Sequence, residues 1–168
     1  MSSYRPENGR AGAAPGKGPQ LFPIVARWAF VAAWACVIVF MSSNTGSNLS
    51  GDLGLFSSMY RDLQSIQESL FGPDVDLLSP TAHFCEYALL GFLLSNALRQ
   101  HVPTGRAFLL AIAYASLFGV TDELHQYFVP ERMCDPLDWL VDTCGATLGA
   151  LVAHLVLPKI EGMRARRP

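Results

Sequence analysis

Charge is scarce in this chain. Asp, Glu, Lys and Arg make up 15% of its 168 residues, against roughly 25% in soluble domains, and three long windows hold almost none of it. Such windows exclude a well-solvated surface over much of the length. A basic stripe with interleaved aromatics is also missing, and the net charge is −2, which excludes general nucleic-acid binding. Paired cysteines at zinc-binding spacing are absent: Cys36, Cys85, Cys134 and Cys144 stand apart. Three of the four fall in apolar windows, where cysteine is usually a small hydrophobe, although Cys85, Cys134 and Cys144 fall near one face, where an oxidised pair is an option. No alternating ten-residue strand pattern appears, so a membrane β-barrel is excluded. No internal repeat is evident.

What is present is apolar: Ala, Val, Ile, Leu, Met, Phe, Trp, Tyr and Cys supply 51% of the residues. The first 22 residues, rich in Gly, Ala, Pro and polar side chains, bury too little to offset their ordering entropy and read as a disordered cytoplasmic tail. Four apolar windows follow, predicting helices over about 24–42, 81–98, 105–128 and 136–157 within a transmembrane domain spanning 23–158. Each approaches the roughly 20 residues that cross a bilayer core. The exit Met41-Ser42-Ser43-Asn44 lacks an A-x-A cleavage pattern, so the first helix is read as retained. Ser79-Pro80 reads as an N-cap and first helical position, and Asp135-Pro136 likewise, with Asp138 in the first turn. Pro158 reads as the end of the last helix, followed by a basic tail over 159–168. Between the first two windows, Leu55, Phe56, Met59, Leu63, Ile66 and Leu70 recur at helical spacing. They predict an amphipathic surface helix over about 53–71.

The cations give an orientation. Arg5, Arg10, Lys17, Arg27, Arg99, Arg106, Lys159, Arg164, Arg166 and Arg167 fall on one side of the four windows, leaving only Arg61 and Arg132 on the other. By the positive-inside rule both termini are cytoplasmic, and the segments around 43–81 and 129–136 face outward. The fold class expected is therefore all-α: an integral membrane four-helix bundle, multi-pass, in the cell membrane. Twelve of the fourteen acids lie on the outer side or in outer helix ends.

Those acids belong to a polar constellation. His83 and Tyr87 are four apart, with Glu86 beside them; Ser116, Gly119, Glu123 and Gln126 form one stripe, with Asp122 and His125 on an adjoining face. Asp135, Asp138, Asp142, Gly145 and Gly149 share a face of the last helix. A charged residue at mid-bilayer costs about 2.5–3.5 kcal/mol on insertion scales. Glu86, Asp122, Glu123, Asp138 and Asp142 should therefore point inward and share protons, Arg132 or a cation. Plainer readings stand beside this one: Asp135 as an N-cap, Asp138 serving the helix dipole, His125 solvated at a helix end, the glycine stripe as packing, and Tyr87 and Trp139 as interface aromatics.

The elements Ala82-His83-Phe84-Cys85-Glu86-Tyr87, Asp122-Glu123-Leu124-His125-Gln126-Tyr127-Phe128-Val129-Pro130-Glu131-Arg132 and Asp138 to Gly149 together resemble the VanZ-like family, over roughly Phe40 to Leu157. The family comprises small multi-helix bacterial membrane proteins, and its name-giving member is associated with teicoplanin resistance. The resemblance implies that His83, Tyr87, Glu123, Gln126, Pro130, Arg132 and Asp138 match the family pattern. Three departures stand out: Ser79-Pro80 where a basic pair is common, Glu131 in place of a glycine, and Asp142 in place of an asparagine. The resemblance implies no settled reaction, and no cofactor is expected.

The leading expectation is action at the outer leaflet on a lipid-linked or lipidated envelope molecule. In an enzymatic version Glu123 or His83 is the general acid/base, Gln126 completes the set, Arg132 holds an anionic headgroup, and Asp138 orients His83. Tyr87, Glu86, Asp122, His125 and Asp142 are the surrounding binding residues. A second class is non-catalytic capture of an anionic lipid or glycopeptide. A third is a metal-dependent membrane enzyme using His83 and Glu86 with Glu123 or Asp138.

Overall fold

The structure is a computed structural model that describes residues 21–43, 54–73, 75–130 and 134–165. The amino-terminal tail expected over 1–22 lies almost wholly outside them, as do the end of the basic tail and the Glu131-Arg132 pair. Among the described residues every regular element is a helix: α1 (Leu21–Ser42), α2 (Gly54–Phe71), α3 (Leu78–Leu98), α4 (Thr104–Gln126) and α5 (Pro136–Ala165).

Three stretches are long and apolar enough to cross a membrane: Ile24–Ser42 in α1, Thr104–Gln126 in α4 and Pro136–Met163 in α5. Helix α3, read from the sequence as a fourth span, falls short of them because His83, Glu86 and Asn96 interrupt its apolar run. It is nonetheless central to the packing. Its most extensive contacts are with α5, then with α4 and α1, while α2 barely touches it.

The ends of two helices differ from expectation. Helix α3 starts at Leu78, because the Asp76 carboxylate accepts the backbone N–H groups of Leu78 at 3.0 Å and Ser79 at 3.2 Å. Ser79 is thus not the cap, and Pro80 sits in a first turn whose N–H groups have no helical partner to lose. Helix α5 runs through Pro158 to Ala165. Pro158 removes one main-chain hydrogen bond, but the extension is tied back by Glu161, which accepts from Arg99 at the end of α3 at 2.8 Å. At the start of α5 the expected cap is present: Leu137 N–H donates to Asp135 Oδ1 at 2.8 Å.

The distribution of polarity is inverted relative to a soluble protein. Val25, Phe30, Phe40, Leu109, Leu117, Leu124, Leu140 and Leu155 are exposed, whereas Ser42, His83, Ser95, Asp122, Glu123, Gln126 and Asp142 are buried. Apolar solvent on the outside is the condition under which this arrangement costs least. On α2, Leu63, Ile66 and Leu70 are likewise uncovered, as a helix lying on a membrane surface requires; the side chains of Leu55, Phe56 and Met59 lie outside the described residues.

The α3–α5 seam is built from small residues. A Cβ on Gly91 would fall on the carbonyl oxygen of Ala146, one on Gly145 on that of Phe84, and one on Gly149 on that of Ala88. The backbones therefore touch, with Ala146, Ala150 and Ala153 filling the rest of the seam without exposure. Gly149→Val should lower thermal stability in micelles by more than the roughly 1–3 kcal/mol of ordinary overpacking. Gly162→Ala, at a position with open space around it, should leave the melting curve unchanged. Equal melts for the two variants would contradict the seam.

Candidate functional site

The outer ends of α3, α4 and α5 meet beside this seam. On α4 the inward face reads Ala107, Ala111, Ala115, Gly119, Asp122 and Gln126, all buried, with spacings of three and four that keep one helical face together. The alanines and the glycine draw α4 close, and the two polar residues then arrive where the three helices converge. Asp122 is on this face, at 3% exposure, and not on the adjoining one as its stripe suggested. His125 is the outward residue: it is exposed and meets Ser43 Oγ at the end of α1 at 3.0 Å.

His83 and Asp142 form the central pair. Nδ1 of His83 lies 3.1 Å from Asp142 Oδ1, with the histidine 7% exposed and the aspartate not at all. The carboxylate on that nitrogen is thus Asp142, one helical turn deeper than Asp138. Asp138 and Glu86 stand within electrostatic range of the imidazole. Gln126 Nε2 donates to Asp122 Oδ2 at 3.3 Å. Glu123 accepts the backbone N–H of Asp135 on Oε2 at 2.8 Å, tying the end of α4 to the start of α5 across the connecting loop.

Each of these carboxylates uses one oxygen and leaves the other without a partner. Asp122 Oδ1, Glu123 Oε1 and Asp142 Oδ2 are buried and find no hydrogen-bond partner among the described residues, and neither does the hydroxyl of Tyr87, whose residue is fully buried. Gly119 leaves room beside the Asp142 oxygen and the Tyr87 ring. Its missing Cβ would sit 3.4 Å from Asp142 Oδ2, 3.5 Å from Tyr87 Cε1 and 3.3 Å from Trp139 Cδ1. Trp139, read from the sequence as an interface aromatic, braces the site: its Nε1 donates to both the carbonyl and Oγ of Ser116 at 3.2 Å. Nothing in its spacing distinguished that role from the membrane belt.

Of the residues expected to act, the structure brings together His83, Glu123, Gln126, Tyr87, Asp122 and Asp142. Glu86 and Asp138 are half-buried at the margin, His125 is outside, and Arg132 lies outside the described residues. One ligand atom each from His83, Asp122 and Asp142 lie within 4.8 Å of one another. Among the described residues this set replaces the one anticipated for a metal, which used Glu86 with Glu123 or Asp138. The four cysteines are free thiols, all exposed, so the oxidised pair considered from the sequence is not formed.

The VanZ/LLP1 family model matches residues 27–157. The chain belongs to the VanZ/LLP1 family. The match begins within α1, runs through α2, α3 and α4 and ends within α5, and it reaches further into α1 than the motifs alone indicated. No curated protein and no solved structure matches significantly. Family membership and the three apolar helices together make this a membrane protein.

The His83–Asp142 contact predicts energetic coupling. His83→Ala and Asp142→Ala should each destabilise the protein by about 3–5 kcal/mol, because each leaves the other buried and unpaired. In a double-mutant cycle read by unfolding in micelles, the two losses should fall short of additivity by about 0.5–3 kcal/mol. Strict additivity would mean that the side chains do not touch.

Proposed function

We propose that this VanZ/LLP1 member acts at the outer leaflet of the cell membrane on a lipid-linked or lipidated molecule of the cell envelope. Helices α1, α3, α4 and α5 all cross the bilayer, and both termini are cytoplasmic. The observation that carries this reading is the separation of charge along the bundle. Arg27, Arg99, Arg106 and Lys159 gather at the end where Arg27 donates to the Asn96 carbonyl at 3.1 Å and Arg99 pairs with Glu161. The buried carboxylates and His83 gather at the opposite ends of the same helices. Cations favour the cytoplasmic face, which puts the acidic site under the external headgroups.

A lateral groove supports a lipidic ligand. Ala35, Cys36, Val39, Phe40, Ser43 and Phe118 line a space of ≈ 560 Å³. Phe118 in its wall packs on Tyr87, with ring centroids 6.2 Å apart. An acyl or prenyl chain lying there would bring its head to the Ser43–His125 end, one aromatic ring from the buried cluster. In the catalytic form of the reading, the free oxygen of Glu123 or the imidazole of His83 moves a proton, and Arg132 holds the anionic head.

Glu123 also favours a second reading, capture without chemistry, because its other oxygen is already committed to the Asp135 N–H. Glu123→Gln and Arg132→Ala, in chains that insert normally, separate the two. Both should abolish the envelope phenotype if a reaction is catalysed, with glycopeptide susceptibility the first phenotype to measure. Retention in both variants removes the catalytic form, whereas a Glu123→Gln protein that still holds lipid while no product forms supports capture. Reporter fusions to the carboxyl terminus should score as cytoplasmic, and an external score would overturn the orientation.

A further inference from the structure

We infer that His83, Asp122 and Asp142 form a binding site for one first-row divalent transition-metal ion of the zinc class. The inference stands apart from the outer-leaflet reading, since it concerns what the cluster holds and not what it acts upon.

Three residues from three different helices converge here. Their ligand atoms, one each, fall within 4.8 Å of one another, and all three residues are buried. Zinc ligands at 2.0–2.2 Å from the ion stand about 3.3 Å apart in a tetrahedral set. Small side-chain rotations therefore close the cluster onto an ion without moving the backbones locked in the seam. A histidine nitrogen with two carboxylate oxygens suits zinc, manganese or ferrous iron; calcium and magnesium favour all-oxygen sets.

A second observation points the same way. Among the described residues Asp122 Oδ1 and Asp142 Oδ2 are buried without a hydrogen-bond partner, on residues 3% and 0% exposed. Leaving a buried carboxylate oxygen unpaired is costly, and two carboxylates with ligand atoms this close raise the cost further by mutual repulsion. Two carboxylates with a neutral imidazole carry a charge of −2, which one divalent cation cancels. The partner already on the other oxygen of Asp122 is one that an outer shell provides: Gln126 Nε2 fixes it through Oδ2 at 3.3 Å. Tyr87 adds a buried hydroxyl, also without a partner, and its ring edge lies beside Asp142 Oδ2 across the space that Gly119 leaves. Three protein ligands leave a coordination position for water or a ligand oxygen, to which that hydroxyl can donate.

The full-length protein in lipid nanodiscs, stripped with chelator and titrated with Zn²⁺, tests this by calorimetry and elemental analysis. One ion per chain is expected. Asp122→Asn and Asp142→Asn keep side-chain volume and hydrogen bonding, and each should weaken binding by more than the roughly 10–100-fold of an outer-shell change. Glu68→Gln, on exposed α2, should bind as the unaltered chain does. Substoichiometric uptake by the unaltered chain, or unchanged affinity in both asparagine variants, overturns the site. Should a variant fail to fold, Co²⁺ titration of the unaltered protein still decides. A visible absorption band of a low-symmetry nitrogen–oxygen site supports the assignment, and its absence at saturating Co²⁺ overturns it. Binding is read without any envelope phenotype, so zinc uptake in a protein lacking that phenotype would support this site and count only against the outer-leaflet reading.

Discussion

Two helices that touch backbone to backbone set the terms for everything else in this molecule. Gly91 on α3 and Gly145 and Gly149 on α5 leave no room for a methyl group between the chains, and Ala146, Ala150 and Ala153 continue the seam. In a membrane there is little hydrophobic force to bring helices together, so close van der Waals contact between small residues has to do it. The seam also fixes register. With Gly145 against Phe84, the preceding turn of α5 lies beside the first turns of α3, and Asp142 comes onto His83. A slip of one residue would rotate that carboxylate by about 100°, toward lipid.

Burial of several acids in one spot needs a compensating arrangement. The protein supplies part of it locally: an imidazole for Asp142, an amide for Asp122, a main-chain N–H for Glu123. Among the described residues the remaining oxygens and the Tyr87 hydroxyl are unserved, which is uncommon among buried polar groups and calls for a cause such as a catalytic role or a bound ion. The inverted exposure pattern gives these groups an environment in which electrostatic contacts are strong. A cluster so placed can hold a cation or an anionic head with few contacts, and the apolar groove beside α1 and α4 offers room for the rest of an amphiphile.

Much of this was legible in the sequence, and the failures are instructive. The helices are announced by apolar windows and their caps, and the family by the motifs around His83, Glu123 and Asp142. The start of α3 and the end of α5 were harder. Asp76 caps from two residues before the helix, where a Ser-Pro pair looked the stronger signal, and Pro158 is tolerated because Arg99 and Glu161 hold the helix beyond it. Within the site, helical stripes placed Asp122 and His125 together, since periodicity gives faces but not which neighbour each face meets. Asp138 and Asp142 share a face, and only the depth of the α3–α5 seam decides which reaches His83. Spacing carries no record of that depth until Gly91, Gly145 and Gly149 are read as a contact between two helices.

The seam and the buried cluster both depend on the separation between His83 Nδ1 and Asp142 in a bilayer. Solid-state NMR with ¹⁵N-histidine and ¹³C-aspartate labels in lipid, assigned by an Asp142→Asn sample, measures it. A strong dipolar contact between the His83 ring nitrogen and the Asp142 carboxyl carbon, matching the 3.1 Å nitrogen–oxygen distance, is the predicted result. A His83 ring without that contact, showing instead cross-peaks to lipid acyl chains, would contradict the seam, the cluster and the functions built upon them.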